Sequence, residues 1–323
     1  MQAATDAVKS ALGQDESARG QFEQGYRPNP TAEKEAQGGP DSRPPGKQHT
    51  MNERPVDDVF PNGQPYRPVG KFEGKTWLIT GGDSGIGRAT AILAALEGAN
   101  VAIAYLPQEQ KDAEDTKEYI EKKTGGARVV LLLPGDLKSE ANCIQAVERT
   151  VQEFGRLDTL FNNSAQQLQN EDILTLDSKQ WEDTFQINMH HIFYTSKAAI
   201  PHLRKNQGAS IINNASVNAF IGRPDLLDYT STKGSIVAFT RGLSNQIVGK
   251  TGIRVNAVAP GPIVTPLVSS TFTAENIAQT NSGPMERPGQ PVEIAAPVIF
   301  LASQDASYIT GNTLHINGGM FVQ

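Results

Sequence analysis

An apolar run, Thr76–Thr80, leads directly into Thr80-Gly81-Gly82-Asp83-Ser84-Gly85-Ile86-Gly87 and then into a helical apolar pattern, Ile86–Glu97, that stops at Gly98. A strand, a turn with spaced glycines and a helix, in that order, leave the chain few ways to fold. Gly81 permits a tight turn, Gly85 lets the backbone approach a pyrophosphate, and Gly87 allows the helix to pack close against a sheet. An anion can then rest on the free N–H groups at the positive end of that helix. The spacing is Gly-x-x-x-Gly-x-Gly, not the Gly-x-Gly-x-x-Gly of the general dinucleotide fingerprint. For three glycines alone a plain tight turn is the competing reading, and the flanking strand and helix are what favour a dinucleotide site.

The same strand-helix alternation continues downstream. Further strands are expected at Val101–Leu106, Val129–Leu133, Thr159–Asn162, Ser210–Asn214, Arg254–Val258 and Thr313–Ile316. Helices are expected at Lys111–Lys123, Glu140–Phe154, Trp181–Lys197, Tyr229–Val248 and Val292–Leu301. Strands that are apolar on both faces imply a parallel sheet covered by helices on both sides. The expectation is a single-domain, Rossmann-like, doubly wound α/β fold with seven parallel strands.

Composition divides the chain near residue 70. Residues 1–70 hold 9 of the 20 prolines, no Ile and no Trp, with 8 basic against 10 acidic side chains. Such a stretch cannot bury enough apolar area to offset its ordering entropy, so a largely disordered extension is expected there, one that can wrap the body through Phe60, Tyr66 and Val69. Residues 71–323 form the expected catalytic domain. A net charge of −6 and a pI near 5.5 argue against nucleic-acid binding, which needs clustered Lys and Arg. The single cysteine, Cys143, permits no internal disulfide and reads as a packed helix residue. His190 and His191 lack metal-ligand spacing and a carboxylate partner, so no metal is expected. Apolar runs such as residues 101–106 are far shorter than the roughly 20 residues that span a bilayer, and no apolar leader is visible, so a cytoplasmic protein without membrane contact is expected.

Candidate chemistry begins at Tyr229-Thr-Ser-Thr-Lys233, preceded by Ser216 at a strand end. Residues four apart share a helix face, so Tyr229 and Lys233 can project into one cleft. A phenol of ordinary pKa about 10 is about three units too weak an acid to ionise at neutral pH, and a nearby ammonium lowers that cost. Taken singly, the Tyr–Lys pair can arise by chance, Ser216 can simply turn the chain, and Asn188 in Phe185-Gln-Ile-Asn-Met189 can be a satisfied buried amide. It is the order of the whole set that points to a site.

With these motifs the chain resembles the short-chain dehydrogenase/reductase family over essentially all of residues 70–323. The resemblance implies an NAD(P)-dependent oxidoreductase interconverting a carbonyl and a secondary alcohol. Tyr229 would be general acid and base, Lys233 would lower its pKa and hold the nicotinamide ribose, Ser216 would hydrogen-bond the substrate oxygen, and Asn188 would anchor a water. Cofactor positions carried over are Gly81, Ser84, Gly85, Ile86 and Gly87 in the turn, Tyr105 at the second strand end, and Asp136 with Leu137 at the adenine. Asn163 follows in Asn162-Asn163-Ser164-Ala165, where Ala165 stands for the family's usual glycine; Tyr229 and Lys233 also belong to this set. Pro260, Gly261, Ile263 and Thr265 would meet the nicotinamide end. The end of the second strand carries neither the acid that selects NAD nor the Arg that accepts the 2′-phosphate of NADP; lacking a carboxylate, NADP is the reading, with NAD open.

Within the family, Asp83-Ser84, Ala104-Tyr-Leu-Pro107 and Pro44-Pro-Gly-Lys-Gln-His-Thr-Met51 resemble the glucose/ribitol-dehydrogenase-like and general-stress oxidoreductases. A sugar or polyol, a small ketone or a polyketide-type ketone all fit that label. Gln166, Gln167, Val217–Pro224 and a mobile lid over residues 266–290 would line the substrate end. The resemblance also implies a homotetramer, for which Leu243, Ile247 and Val248 suit either an interface or the core. A catalytically silent nucleotide sensor or scaffold on the same fold is the alternative, and the intact Ser216, Tyr229 and Lys233 speak against it.

Overall fold

A computed structural model of the chain describes residues 46–51, 54–272 and 283–322. Its centre is one seven-stranded sheet: β1 (Thr76–Thr80), β2 (Asn100–Tyr105), β3 (Val130–Pro134), β4 (Thr159–Asn162), β5 (Ser210–Asn214), β6 (Arg254–Pro260) and β7 (Thr313–Ile316). The spatial order is β3-β2-β1-β4-β5-β6-β7, and every pairing is parallel. This is the expected Rossmann-like, doubly wound fold. The order reverses between β1 and β4, which opens a crevice beyond their carboxyl ends.

The helices are α1 (Gly85–Leu96), α2 (Gln110–Lys123), α3 (Glu140–Phe154), α4 (Ser178–Phe185), α5 (His191–Leu203), α6 (Asn218–Ile221), α7 (Leu227–Thr251), α8 (Pro266–Thr271) and α9 (Pro291–Ala302). Alternate strand residues feed opposite layers. Trp77, Ile79, Val101 and Ile103 pack with Ile92 of α1 and Ile294 and Val298 of α9. Leu78, Ala102 and Leu160 pack with Val147 of α3 and Ala199 and Leu203 of α5. Both faces being covered is why β1 is buried at every position and reads as an unbroken apolar run. Cys143 is buried in the second layer, its thiol directed at the Leu137 carbonyl.

Two expectations change here. The helix expected over Trp181–Lys197 is divided into α4, a π turn over Gln186–His190, and α5. Apolar periodicity does not register one wide turn, because the side chains on either side still fall on the buried face.

The second concerns the upstream segment, which was expected to be unstructured to residue 70. Residues 46–51 and 54–70 lie against the body, whereas 1–45 and 52–53 fall outside the described residues. Asp57 accepts from Arg88 Nε at 2.8 Å, Asp58 from the Tyr119 hydroxyl at 3.0 Å, and Gln290 Oε1 from Val56 N at 3.0 Å. Buried Glu97 accepts from the Tyr66 hydroxyl and from the N–H groups of Val69 and Lys71. Phe60 and Tyr66 pack against the α1 layer, while Val69 is exposed. Composition marks this stretch as solvated because it counts charges without their partners, and the partners sit on α1, α2 and α9.

Candidate active site

The turn between β1 and α1 explains its glycines one by one. Gly81 and Gly85 have φ of 63° and 51°, in the left-handed region. A Cβ on Gly87 would lie 1.8 Å from the Gly81 carbonyl oxygen, so the helix starts in contact with the turn. Ser84 supplies no side-chain cap to α1, and the first N–H of the helix, on Gly85, donates instead to Gln48 Oε1 at 2.8 Å. Asn163, at the exit of β4, donates from Nδ2 to the carbonyls of Thr80 and Gly81 and accepts from Asn214 Nδ2 at 2.8 Å. That side chain fixes the turn to two neighbouring strands. Ala165 needs no special backbone, since Glu286 is the one non-glycine residue with positive φ among the described residues.

Beyond the strand ends lies a cleft of about 1090 Å³. Every expected cofactor residue except Gly87 lines it. Gly87 is instead beneath the turn, where lack of a side chain, rather than contact with a ligand, is its contribution. A dinucleotide fits this donor set: a cradle that a Cβ would fill, helix N–H groups directed outward, and a buried cation at the far end.

At that far end, the first turns of α7 carry Tyr229 and Lys233. Asp228, itself buried, accepts from Tyr229 N at 2.7 Å and from the Thr184 hydroxyl at 2.9 Å, which pins the start of the helix. Lys233 Nζ donates to the Asn214 carbonyl at 2.7 Å and lies 5.3 Å from the centre of the Tyr229 ring. Ser216, whose Oγ accepts from Asn218 N at 3.1 Å, lines the same cleft as the Tyr229 phenol. Burial pushes the Tyr229 phenol up to about 12 against the opposing effect of Ser216, and burial pulls Lys233 down to about 7. The Tyr229 shift is opposite to the one expected from its proximity to an ammonium. Desolvation of a phenolate dominates, and Lys233, held on a carbonyl in the same dry cleft, itself tends to lose its charge.

Asn188 is fully buried in the π turn and does not line the cleft. Its Oδ1 accepts from Gln166 N at 2.8 Å, and its Nδ2 donates to Gln166 O at 2.9 Å and to Thr232 Oγ1 at 3.1 Å. One amide thus ties the loop after β4 to the catalytic face of α7. An Asn188→Ala protein is expected to lose about 2–4 kcal/mol in denaturant unfolding, because both Gln166 backbone groups lose their partner; a loss below about 0.5 kcal/mol would show that water replaces the amide.

Several cleft residues lay beyond sequence reasoning. Asp83 and Glu109 are buried in the wall at the end of β2. Glu109 Oε2 accepts from Leu106 N at 3.2 Å, and burial, aided by the neighbouring carboxyls, holds both acids well above the ordinary carboxylate range. The acid sought at the strand end, where Tyr105 stands, arrives four residues later on a short 3₁₀ turn, Pro107–Glu109, that opens with a proline. That proline is the available signal. Gly46 is a further lining residue from the upstream segment, and Gln48 reaches the glycine turn at Gly85 N without lining the cleft.

Comparison with known proteins agrees with this geometry. Residues 81–321 match the family model described as enoyl-(acyl carrier protein) reductase. A glucose and ribitol dehydrogenase of Daucus carota is 46% identical over 281 residues, covering 86% of this chain and 94% of that protein. The chloroplastic NADPH-dependent aldehyde reductase 1 of Arabidopsis thaliana is 46% identical over 282 residues, covering 86% and 96%. A solved short-chain dehydrogenase from Burkholderia cenocepacia J2315, in complex with NADP, superposes with a TM-score of 0.71 at 28% identity, over 77% of this chain and 98% of that one. The chain belongs to the short-chain dehydrogenase/reductase family. It is therefore an oxidoreductase.

In this short-chain dehydrogenase/reductase Gln166, Gln167, Asn218, Ile221, Arg223 and Pro224 line the cleft together with Leu267 and Phe272. Arg223 stacks 4.3 Å from the Phe272 ring centre while its fork holds Asp225 at 2.6 and 3.0 Å. Part of the expected lid forms α8, and residues 273–282 lie outside the described residues. Ile247 is buried in the core, and the partly buried Leu243 packs against it. Among the described residues, no helix is long and apolar enough to cross a membrane.

Proposed function

We propose that this oxidoreductase reduces an aldehyde or ketone to the alcohol with NADPH and runs the reverse reaction when alcohol is in excess. The observation that carries the reading is the convergence of Ser216, Tyr229 and Lys233, all buried, on one cleft whose other end is the glycine turn. NADPH, when bound, supplies the hydride. Ser216 and Tyr229 present hydroxyls to the substrate oxygen, and Tyr229, protonated across neutral pH, gives its proton as the oxygen gains charge. Lys233 orients the ribose and, once charged, stabilises the resulting phenolate. Asn188 acts by holding the loop of Gln166 in register with α7, and any water-anchoring role would be exercised from there.

Support for NADPH comes from the named relatives and from the buried state of Asp83 and Glu109. With both carboxyls shifted upward by burial, they repel a 2′-phosphate less than ordinary carboxylates would. The mixed lining of Gln166, Gln167, Asn218 and Arg223 beside Leu267 and Phe272 suits a substrate with both hydroxyl and apolar surface. The exposed Ile144, Phe193, Phe300 and Tyr308 offer apolar area for the homotetramer that the same reading implies. No specific observation favours the catalytically silent alternative. The test is a panel of aldehydes, ketones and polyols followed by nicotinamide absorbance with both cofactors. At least one carbonyl should turn over, with kcat/KM for NADPH above that for NADH by about tenfold or more, the size of one charge-assisted contact. A tenfold preference for NADH would reject the cofactor assignment, and silence across the panel would reject the activity.

A further inference from the structure

The segment upstream of the Rossmann-like body passes across the cofactor end of the cleft. Gln48–Thr50 forms a single 3₁₀ turn, and Gln48 is 5% exposed. Its side-chain Oε1 accepts from Gly85 N at 2.8 Å, so a residue 37 positions upstream caps the first N–H of α1. The segment is anchored beside that contact on Asp112 of α2, which is 2% exposed. Asp112 Oδ2 accepts from Gln48 N at 2.9 Å, and Oδ1 accepts from His49 N at 2.8 Å and lies 2.9 Å from His49 Nδ1. On the other side Gly46 lines the cleft and touches α8: a Cβ there would lie 2.2 Å from the Pro266 carbonyl oxygen and 2.9 Å from Ser270 Oγ. Residues 46–51 thus bridge the glycine turn that opens α1 and the helix that follows β6, the two walls between which a dinucleotide would lie.

We propose that residues 46–51 are part of the nicotinamide-dinucleotide site, a strap over the pyrophosphate in which Gln48 is a binding residue. The proposal rests on the reading of the cleft given above. Gly85 N–H can only donate, so the atom facing it is the amide oxygen, and the NH₂ of Gln48 is left on the other side of the carboxamide as a neutral donor for a phosphate oxygen. The next N–H group, on Ile86, which lines the cleft, is the helix's own anion donor. The strap has a second electrostatic effect. Asp112 lies near Asp83 under the same turn, and without the strap's N–H groups and His49 a buried carboxylate would stand unneutralised beside a bound phosphate. The family's fold needs none of these residues, since the glycine turn belongs to the body alone.

The test uses the full chain and NADPH, titrated by its own fluorescence, with dissociation followed by stopped flow. Gln48→Leu keeps the bulk and removes both amide functions; Gly46→Val opens the contact with Pro266. Each is expected to raise Kd and the dissociation rate by about fivefold or more, the size of one lost hydrogen bond. Tyr66→Phe removes a contact of the same segment with Glu97, away from the cleft, and is expected to leave Kd unchanged. In the wild type, the backbone amides of residues 46–51 should exchange more slowly once NADPH is added. Wild-type Kd in Gln48→Leu together with unchanged exchange overturns the strap, as does an equal loss in Tyr66→Phe, which would trace the effect to general loosening. Failure of the wild type to bind either NADPH or NADH overturns the reading of the cleft itself.

Discussion

Tyr229→Phe is expected to lower carbonyl turnover by about a thousandfold or more while NADPH affinity stays within about twofold of wild type, because one hydroxyl is the proton source and the ring alone fills the space. The geometry makes the separation clean. Tyr229 is held by backbone contacts at the start of α7, with its N–H on Asp228, and Lys233 is held independently on the Asn214 carbonyl. Removing the phenol oxygen therefore leaves both walls in place. Turnover of the variant within about tenfold of wild type would show that another group, or water, delivers the proton, and the assignment of Tyr229 would fall.

Gly87→Ala should act in the opposite manner, removing cofactor binding and with it all activity. Its Cβ would lie 1.8 Å from Gly81 O, 2.7 Å from Gly81 C and 2.6 Å from Asn163 Nδ2. Two of these are backbone atoms of a turn already fixed by Asn163, so relief requires the turn and α1 to separate by about 1 Å, a displacement that can cost about a hundredfold in a positioned site. The expected result is a rise in NADPH Kd of about a hundredfold, with a loss of about 1–3 kcal/mol in unfolding free energy from overpacking. Gly249→Ala, in α7, is the matched control: nothing lies within 4 Å of its Cβ, and it should bind NADPH normally and be slightly more stable. If Gly87→Ala binds within about threefold of wild type, the close approach of helix and turn is not what shapes the site.

What could be read from the chain without coordinates follows from how local each signal is. The strands β1, β4, β5 and β7 fall where the apolar runs place them, and α3 begins and ends with the expected residues. A strand buried on both faces is legible because its whole length is apolar, and a helix end is legible where Gly155, with φ of 73°, stops it. That Tyr229 and Lys233 face one cleft was legible for the same reason: they share one helix, and their spacing alone sets their common direction. Asn188 was visible as an unusual residue, but its partners on Gln166 and Thr232 come from separate elements, and neither the π turn nor its position behind the cleft has a period to detect.

Electrostatics and the upstream segment were not legible. A pair of residues predicts attraction between a phenol and an ammonium, but only the folded chain shows that both are desolvated, which turns the Tyr229 shift upward and the Lys233 shift downward. In the same way, Asp57, Asp58, Gln48 and His49 look like a solvated polar stretch in sequence and become buried contacts once Arg88, Tyr119, Gly85 and Asp112 are placed opposite them. The parallel sheet, the glycine turn and the shared helix face of Tyr229 and Lys233 are written into short stretches of chain, because each depends on neighbours a few residues apart. Where Glu109 returns, which charges are buried, and that residues 46–51 meet Gly85, Asp112 and Pro266 emerge only in the folded chain, because those depend on what distant segments bring to the same place.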